Sequence, residues 1–196
     1  MQDMKAILFS VIHDCRKFFD EYFYNGVIAG AVLVFLYCII LLWKYVCARN
    51  IMRNSFFRAC MKIPFVALLG FYSYLVLGIT LLSRNKGAVY ILRLVPFSTW
   101  EMDVFNVTLW IENILMMIPL GILLYILWAP FRKLDRSILA GFLCSLLVEC
   151  IQFFTRLGKF ETDDIMNNVF GVVIGFLVCK VIGGIFGRDS VRERHS

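Results

Sequence analysis

Five apolar runs separated by short, charged connections dominate this chain. A helix needs about 20 apolar residues to cross the hydrocarbon of a bilayer, so five such runs occupy roughly half of the sequence. With 61% hydrophobic and 17% charged residues among 196, the excess of apolar side chains is too large for one soluble core of this size. The pattern predicts an all-α integral membrane protein with no room for a soluble catalytic domain.

The crossings are expected at about residues 27–46, 63–82, 110–128, 138–155 and 165–186. Tyr22 and Tyr24 flank the first at one end and Trp43 and Tyr45 at the other, while Trp110 and Trp128 bracket the third, as aromatic belts do at membrane interfaces. Ahead of the first crossing, Ile7, Leu8, Val11, Ile12, Cys15, Phe18 and Phe19 recur at steps of three and four. Ser10, His13, Asp14 and Lys17 fall on the other side. This predicts an amphipathic helix lying in the interface. Its internal charges and the lack of a small-residue cleavage pattern argue against a signal peptide. The expected organisation is an N-terminal amphipathic segment over 1–26, a five-helix membrane domain over 27–186 and a basic tail over 187–196. Between the second and third crossings, the stretch 90–97 is too short to span and is expected to be interfacial or partly re-entrant.

The 20 basic residues set the orientation. Lys44, Arg49, Arg53, Arg58 and Lys62 follow the first crossing, Arg132, Lys133 and Arg136 follow the third, and Lys180, Arg188, Arg192 and Arg194 close the chain. The positive-inside rule makes that side cytoplasmic. The N-terminus, the connection 84–108 and the loop 156–164 then face out, together with 11 of the 14 acidic residues. The basic clusters carry no aromatic interleaving, so nucleic acid is not an expected partner. Seven cysteines contain no C-x-x-C pair, which supports neither a zinc site nor a disulfide framework. The sequon Asn106-Val107-Thr108 falls on the outer side.

Within this topology the unusual polar residues gather at one end. Ser145, Glu149, Gln152 and Arg156 are spaced by four, three and four, which puts them on one face of the fourth crossing. Asp164, Asn168, Gly171 and Gly175 repeat that spacing on the fifth, with Asp163 and Asn167 one position over. The two glycines permit close approach of another helix. Gly183, Gly184 and Gly187 form another small-residue cluster at the inner end, where a helix contact or chain flexibility is expected. Glu112 and Asn113 open the third crossing, and Pro119 lies near its middle. Glu149 is about 9 Å inside its helix end at 1.5 Å per residue, a depth at which a lone carboxylate is costly. Its candidate partners are Arg84, Arg93 and Arg156. It either clasps a neighbouring helix or belongs to a ligand or catalytic site.

Leu94-Val95-Pro96-Phe97, Asn113-Ile114-Leu115 with Ile118-Pro119-Leu120-Gly121, Ser145 to Gln152, and Arg156 with Asp163-Asp164 and Asn168 to Gly175 follow one another in an order that resembles the VanZ-like family of bacterial membrane proteins. The resemblance covers about residues 84–176 and implies a cell-envelope setting linked to resistance to the glycopeptide teicoplanin. By similarity Asn113, Glu149, Gln152, Arg156, Asp164 and Asn168 are the family-type polar positions. Glu161-Thr162 departs from the family pattern, which would carry a further Asp there. The resemblance implies no particular reaction.

Two classes of activity fit these residues. In the first, Arg156 and Arg84 meet the anionic groups of a cell-wall lipid precursor headgroup, or of the antibiotic that targets it, and Asn113, Gln152, Asp163 and Asn168 supply directional hydrogen bonds. In the second, Glu149 and Asp164 are a general acid and base acting on a lipid-linked or peptidoglycan-related substrate. A divalent cation held by Glu149, Asp163 and Asp164 is a subsidiary reading, and no metal or other cofactor is otherwise expected. A transporter ranks third, because five helices show no internal repeat.

Overall fold

The computed structural model describes residues 2–47, 53–84, 91–97 and 103–192. It is 87% helical, with five helical stretches long and apolar enough to cross a membrane. The helices are α1 (Gln2–Cys47), α2 (Arg53–Cys60), α3 (Ile63–Leu77), α4 (Val104–Leu127), α5 (Leu134–Thr155) and α6 (Thr162–Arg192). The expected membrane architecture is present, with one difference at its start. The amphipathic segment and the first crossing form a single helix of 46 residues, about 69 Å long, or roughly twice the hydrocarbon thickness. Asn25-Gly26 does not interrupt it. The tail likewise begins as helix, since α6 runs on to Arg192. Arg49 and Arg194, used above for orientation, lie outside the described residues, as do Tyr90 and the rest of 85–90 and 98–102.

The chain forms two compact units, Ile12–Arg84 and Met1–Val11 with Asn85–Ser196. In the first, α1 and α3 run antiparallel and meet through small residues. A Cβ on Gly30 would strike the Ala67 carbonyl, and one on Gly70 would strike Ala29 and the Cα of Gly30. Tyr22 packs against Gly78, which opens a π-helical turn over Gly78–Leu82. In lipid, where apolar side chains gain little by leaving the acyl chains, such backbone approach is a main source of helix association. The Tyr37 hydroxyl adds a bond to the Ala59 carbonyl (3.1 Å).

The second unit is built on α4 and α6, which share its most extensive packing. Ile114, Ile118 and Ile122 present their carbonyls to Gly171, Gly175 and Cys179 in ascending order, so the two helices run parallel. Gly121 returns the arrangement by admitting the Val172 carbonyl of α6. Parallel neighbours need a return crossing between them, and α5 supplies it, packing Gly141 against Val172. Met117, Leu123, Val172 and Phe176 are 0–2% exposed and form the core of the unit. Pro119 is accommodated inside α4.

The described part of the 84–108 connection is neither a span nor a free loop. Leu92–Arg93 (β1) pairs in parallel with Phe160–Glu161 (β2), with Leu92 opposite Phe160 and Arg93 opposite Glu161. The connection is thereby fastened to the link between α5 and α6. The sequon lies in the first turns of α4: the Asn106 N–H donates to the Asp103 carboxylate that caps the helix (2.7 Å), and the buried Thr108 hydroxyl donates to the Val104 carbonyl (2.7 Å). Helical backbone and an occupied threonine make it a poor glycan acceptor.

The glycine contacts give a direct test. Gly175→Leu should force α4 and α6 apart at an overpacking cost of about 1–3 kcal/mol, seen as a lower unfolding temperature and loss of the monodisperse peak in detergent. Gly183→Leu, on the same helix but with nothing within 4 Å of an added Cβ, should leave both unchanged.

Candidate functional site

The polar residues foreseen at one end of the bundle are brought together by the ends of α5 and α6, by α4 and by the segment 91–97. On α5, Ser145, Glu149 and Gln152 share a buried face at 0%, 3% and 3% exposure, as their spacing requires. Arg156 departs from that face. The helix ends at Thr155, and Arg156 turns to the left-handed conformation (φ 58°) as an exposed C-cap, so helical spacing no longer applies to it. The Gln152 carbonyl closes this end by accepting the N–H groups of Leu157 (2.9 Å) and Gly158 (3.2 Å).

Glu149 finds a partner that residue types do not advertise. Its Oε2 accepts the backbone N–H of Glu161 in β2 (3.1 Å), a bond that meets one charged group with one main-chain donor. Of the three arginines expected to face Glu149, Arg93 instead forms an ion pair with the Glu161 carboxylate (3.2 Å). Arg84 is an exposed residue at the end of the other unit, Ile12–Arg84.

The first turn of α6 carries Asp163 and Asp164, where carboxylates are favoured by the unpaired N–H groups of a helix start. Asp163 is 1% exposed and accepts the Phe97 N–H (2.6 Å). Phe97 adopts φ 64° to present that N–H, a conformation uncommon for a residue with a Cβ. The Leu94–Phe97 motif thus has a physical role as the strap that caps Asp163. Asp164 accepts the Asn113 side-chain amide (2.9 Å), joining α6 to α4. Asn113 does not lie at the start of its helix, because α4 begins at Val104. Thr162 completes the strap by donating to the Arg93 carbonyl (3.2 Å).

Deeper in α6, the Asn168 amide donates to Ser145 on α5 (2.8 Å). Its Oδ1 and the Nδ2 of Asn167 are buried with no hydrogen-bond partner in the protein. Whichever way the Asn168 amide is turned, one of its polar ends is left over. Three carboxylates therefore have N–H donors on three different elements, and two neighbouring amides do not use all of theirs. Among the described residues, no group of three His, Cys, Asp or Glu side chains is arranged to hold a metal ion. Asn167 was noticed in the sequence only as an offset neighbour, and the roles of Ser145, Glu161, Thr162 and the Phe97 N–H were missed. For the backbone donors no sequence signal exists.

The VanZ/LLP1 family profile matches residues 65–183. The chain belongs to the VanZ/LLP1 family. The match takes in more than half of the chain, from the first turn of α3 to the end of the apolar part of α6, and encloses every residue of this cluster. No curated protein and no solved structure matches the chain. The motifs that carry the resemblance in the VanZ/LLP1 region are the strap, the Asn113 turn of α4, the polar face of α5 and the acidic start of α6.

If Glu149 serves chiefly as the acceptor for Glu161, Glu149→Gln should keep an oxygen in place and unfold within a few degrees of the parent protein. Glu149→Leu should leave a main-chain donor unmet at a cost of about 1–3 kcal/mol. Thermal unfolding of the purified proteins in one detergent measures both.

Proposed function

We propose that the polar end of α4, α5 and α6 binds the headgroup of a lipid-linked cell-wall precursor at the outer face of the membrane. Membership of the VanZ/LLP1 family supports a general link with glycopeptide resistance, and such a precursor is the target those antibiotics share with the cell-wall machinery. The observation that carries the reading is the pair of amide ends on Asn167 and Asn168, one donor and one acceptor, buried without a protein partner. Polar groups of this kind in native proteins call for an explanation, and a sugar or peptide headgroup offers both complementary functions. Arg156 and Lys159 lie exposed on the adjoining loop and suit the phosphates of such a lipid.

The same geometry favours binding over acid–base catalysis by Glu149 and Asp164. Each carboxylate already accepts a hydrogen bond from an N–H that ties two segments together, which is the work of a fastening. The outward orientation rests on the positive-inside rule.

The test uses purified protein in nanodiscs with a polyprenyl-pyrophosphate-linked muropeptide, and teicoplanin in a parallel titration. Asn167→Leu and Asn168→Leu are expected to weaken binding of the muropeptide lipid by about tenfold, equivalent to 1.4 kcal/mol. Arg156→Ala should weaken it at low salt, with the loss shrinking as salt screens the charge contact, and Glu149→Gln should leave it near the parent value. Binding of teicoplanin alone would move the ligand from precursor to antibiotic. A change in the mass of the lipid that disappears in Asp164→Asn would replace the binding reading with an enzymatic one.

A further inference from the structure

The strap of residues 91–97, which lies in the same unit as the cluster, has a second face. Five of its seven residues are large and apolar, and four of them, Leu92, Leu94, Val95 and Phe97, are 54–69% exposed. A free loop with that composition would collapse onto the nearest apolar surface. This one is held by its backbone: the Ile91 carbonyl accepts the Phe160 N–H (3.0 Å), the Arg93 carbonyl accepts the Thr162 hydroxyl (3.2 Å), and the Phe97 N–H binds Asp163 (2.6 Å). The Arg93–Glu161 ion pair adds a fourth fixing point. The polar atoms thus face the bundle while the apolar side chains are left outside it.

The occupant is identified by what adjoins the strap. It lies at the end of the bundle where α4 starts and α5 finishes, and there Phe105 and Phe154 are 69% and 74% exposed on helices that span the membrane. The exposed apolar side chains of the strap thus lie at the same end of the bundle as those of α4 and α5. We propose that residues 91–97 are an interfacial anchor, with Leu92, Leu94, Val95 and Phe97 seated among the headgroups and upper acyl chains of the bilayer. Short apolar segments with an adjacent basic residue, here Arg93, have the composition that partitions to this depth. The anchor meets the polar cluster directly through the Phe97–Asp163 bond, and it stands whether or not that cluster binds a lipid precursor.

Photo-crosslinking in vesicles of phosphatidylcholine and phosphatidylglycerol tests this. The probe p-benzoylphenylalanine is placed in turn at Leu94, Val95 and Phe97, with Phe154 as the lipid-facing reference and Lys159 as the exposed polar reference. All five positions are exposed, so the probe disturbs no packing. Lipid adducts at 94, 95 and 97 should match those at 154 and exceed those at 159 several-fold by mass spectrometry. A Val95→Trp variant should in addition gain quenching by lipids brominated near the headgroup end of their chains, relative to the parent protein. Adduct yields at 94, 95 and 97 no higher than at 159, or crosslinks to a second copy of the chain in place of lipid, would overturn the anchor.

Discussion

The hydrocarbon of a bilayer offers no hydrogen bonds, and the arrangement of the second unit follows from that one deficiency. Backbone that leaves a helix at membrane depth must find partners within the protein. Beyond the apolar stretch of α5, which ends at Thr155, the chain meets its backbone groups through a two-residue parallel pairing with 92–93, an arrangement too short to stand alone and useful here because it consumes donors and acceptors. The N–H of Glu161 goes to the Glu149 side chain. A carboxylate that would be costly as an isolated charge becomes the acceptor that completes a loop.

Close packing of α4 on α6 makes the rest of the cluster possible. Carbonyls of one helix resting on glycines of the other bring the axes nearer than larger side chains allow, and short side chains such as Asn113 and Asp164 then reach each other. Ser145 and Asn168 do the same between α5 and α6. Amide and hydroxyl pairs of this kind fix rotation and register as well as proximity. Apolar packing alone would leave three similar helices free to slide. The small residues set the distance and the polar residues set the alignment.

What could be read from residues alone follows the same division. Hydropathy and its period reported the number of crossings, and spacing by three and four placed Ser145, Glu149 and Gln152 on one buried face, because both signals are local and repeat along one helix. The continuity of α1 escaped that reading, since a change from amphipathic to uniformly apolar composition marks a change of surroundings and need not mark a change of backbone. Arg156 was misplaced for a related reason: helical spacing holds only as far as the helix, and a left-handed cap ends it one residue earlier. Charge complementarity, which is visible in a sequence, points Glu149 toward arginines, whereas a main-chain donor is not visible there. The N–H of Glu161 is carried by every residue except proline, so nothing in the sequence distinguishes it.

That division also separates fastening from recognition in the cluster. Each of Glu149, Asp163 and Asp164 accepts from an N–H on another segment, and each such bond joins two parts of the chain. Asn167 and Asn168 instead retain a buried donor and a buried acceptor that the protein does not meet, at about 1–3 kcal/mol for each unmet group. One carboxylate oxygen, Glu112 Oε1 on α4, is likewise buried without a hydrogen bond, so the unmet groups lie on both helices of the closest pair. On the proposed reading, a headgroup that supplies a donor and an acceptor offsets the cost at Asn167 and Asn168. Glu149, Asp163 and Asp164 thus join the segments, and the proposed recognition falls to the neutral amides deeper in α6.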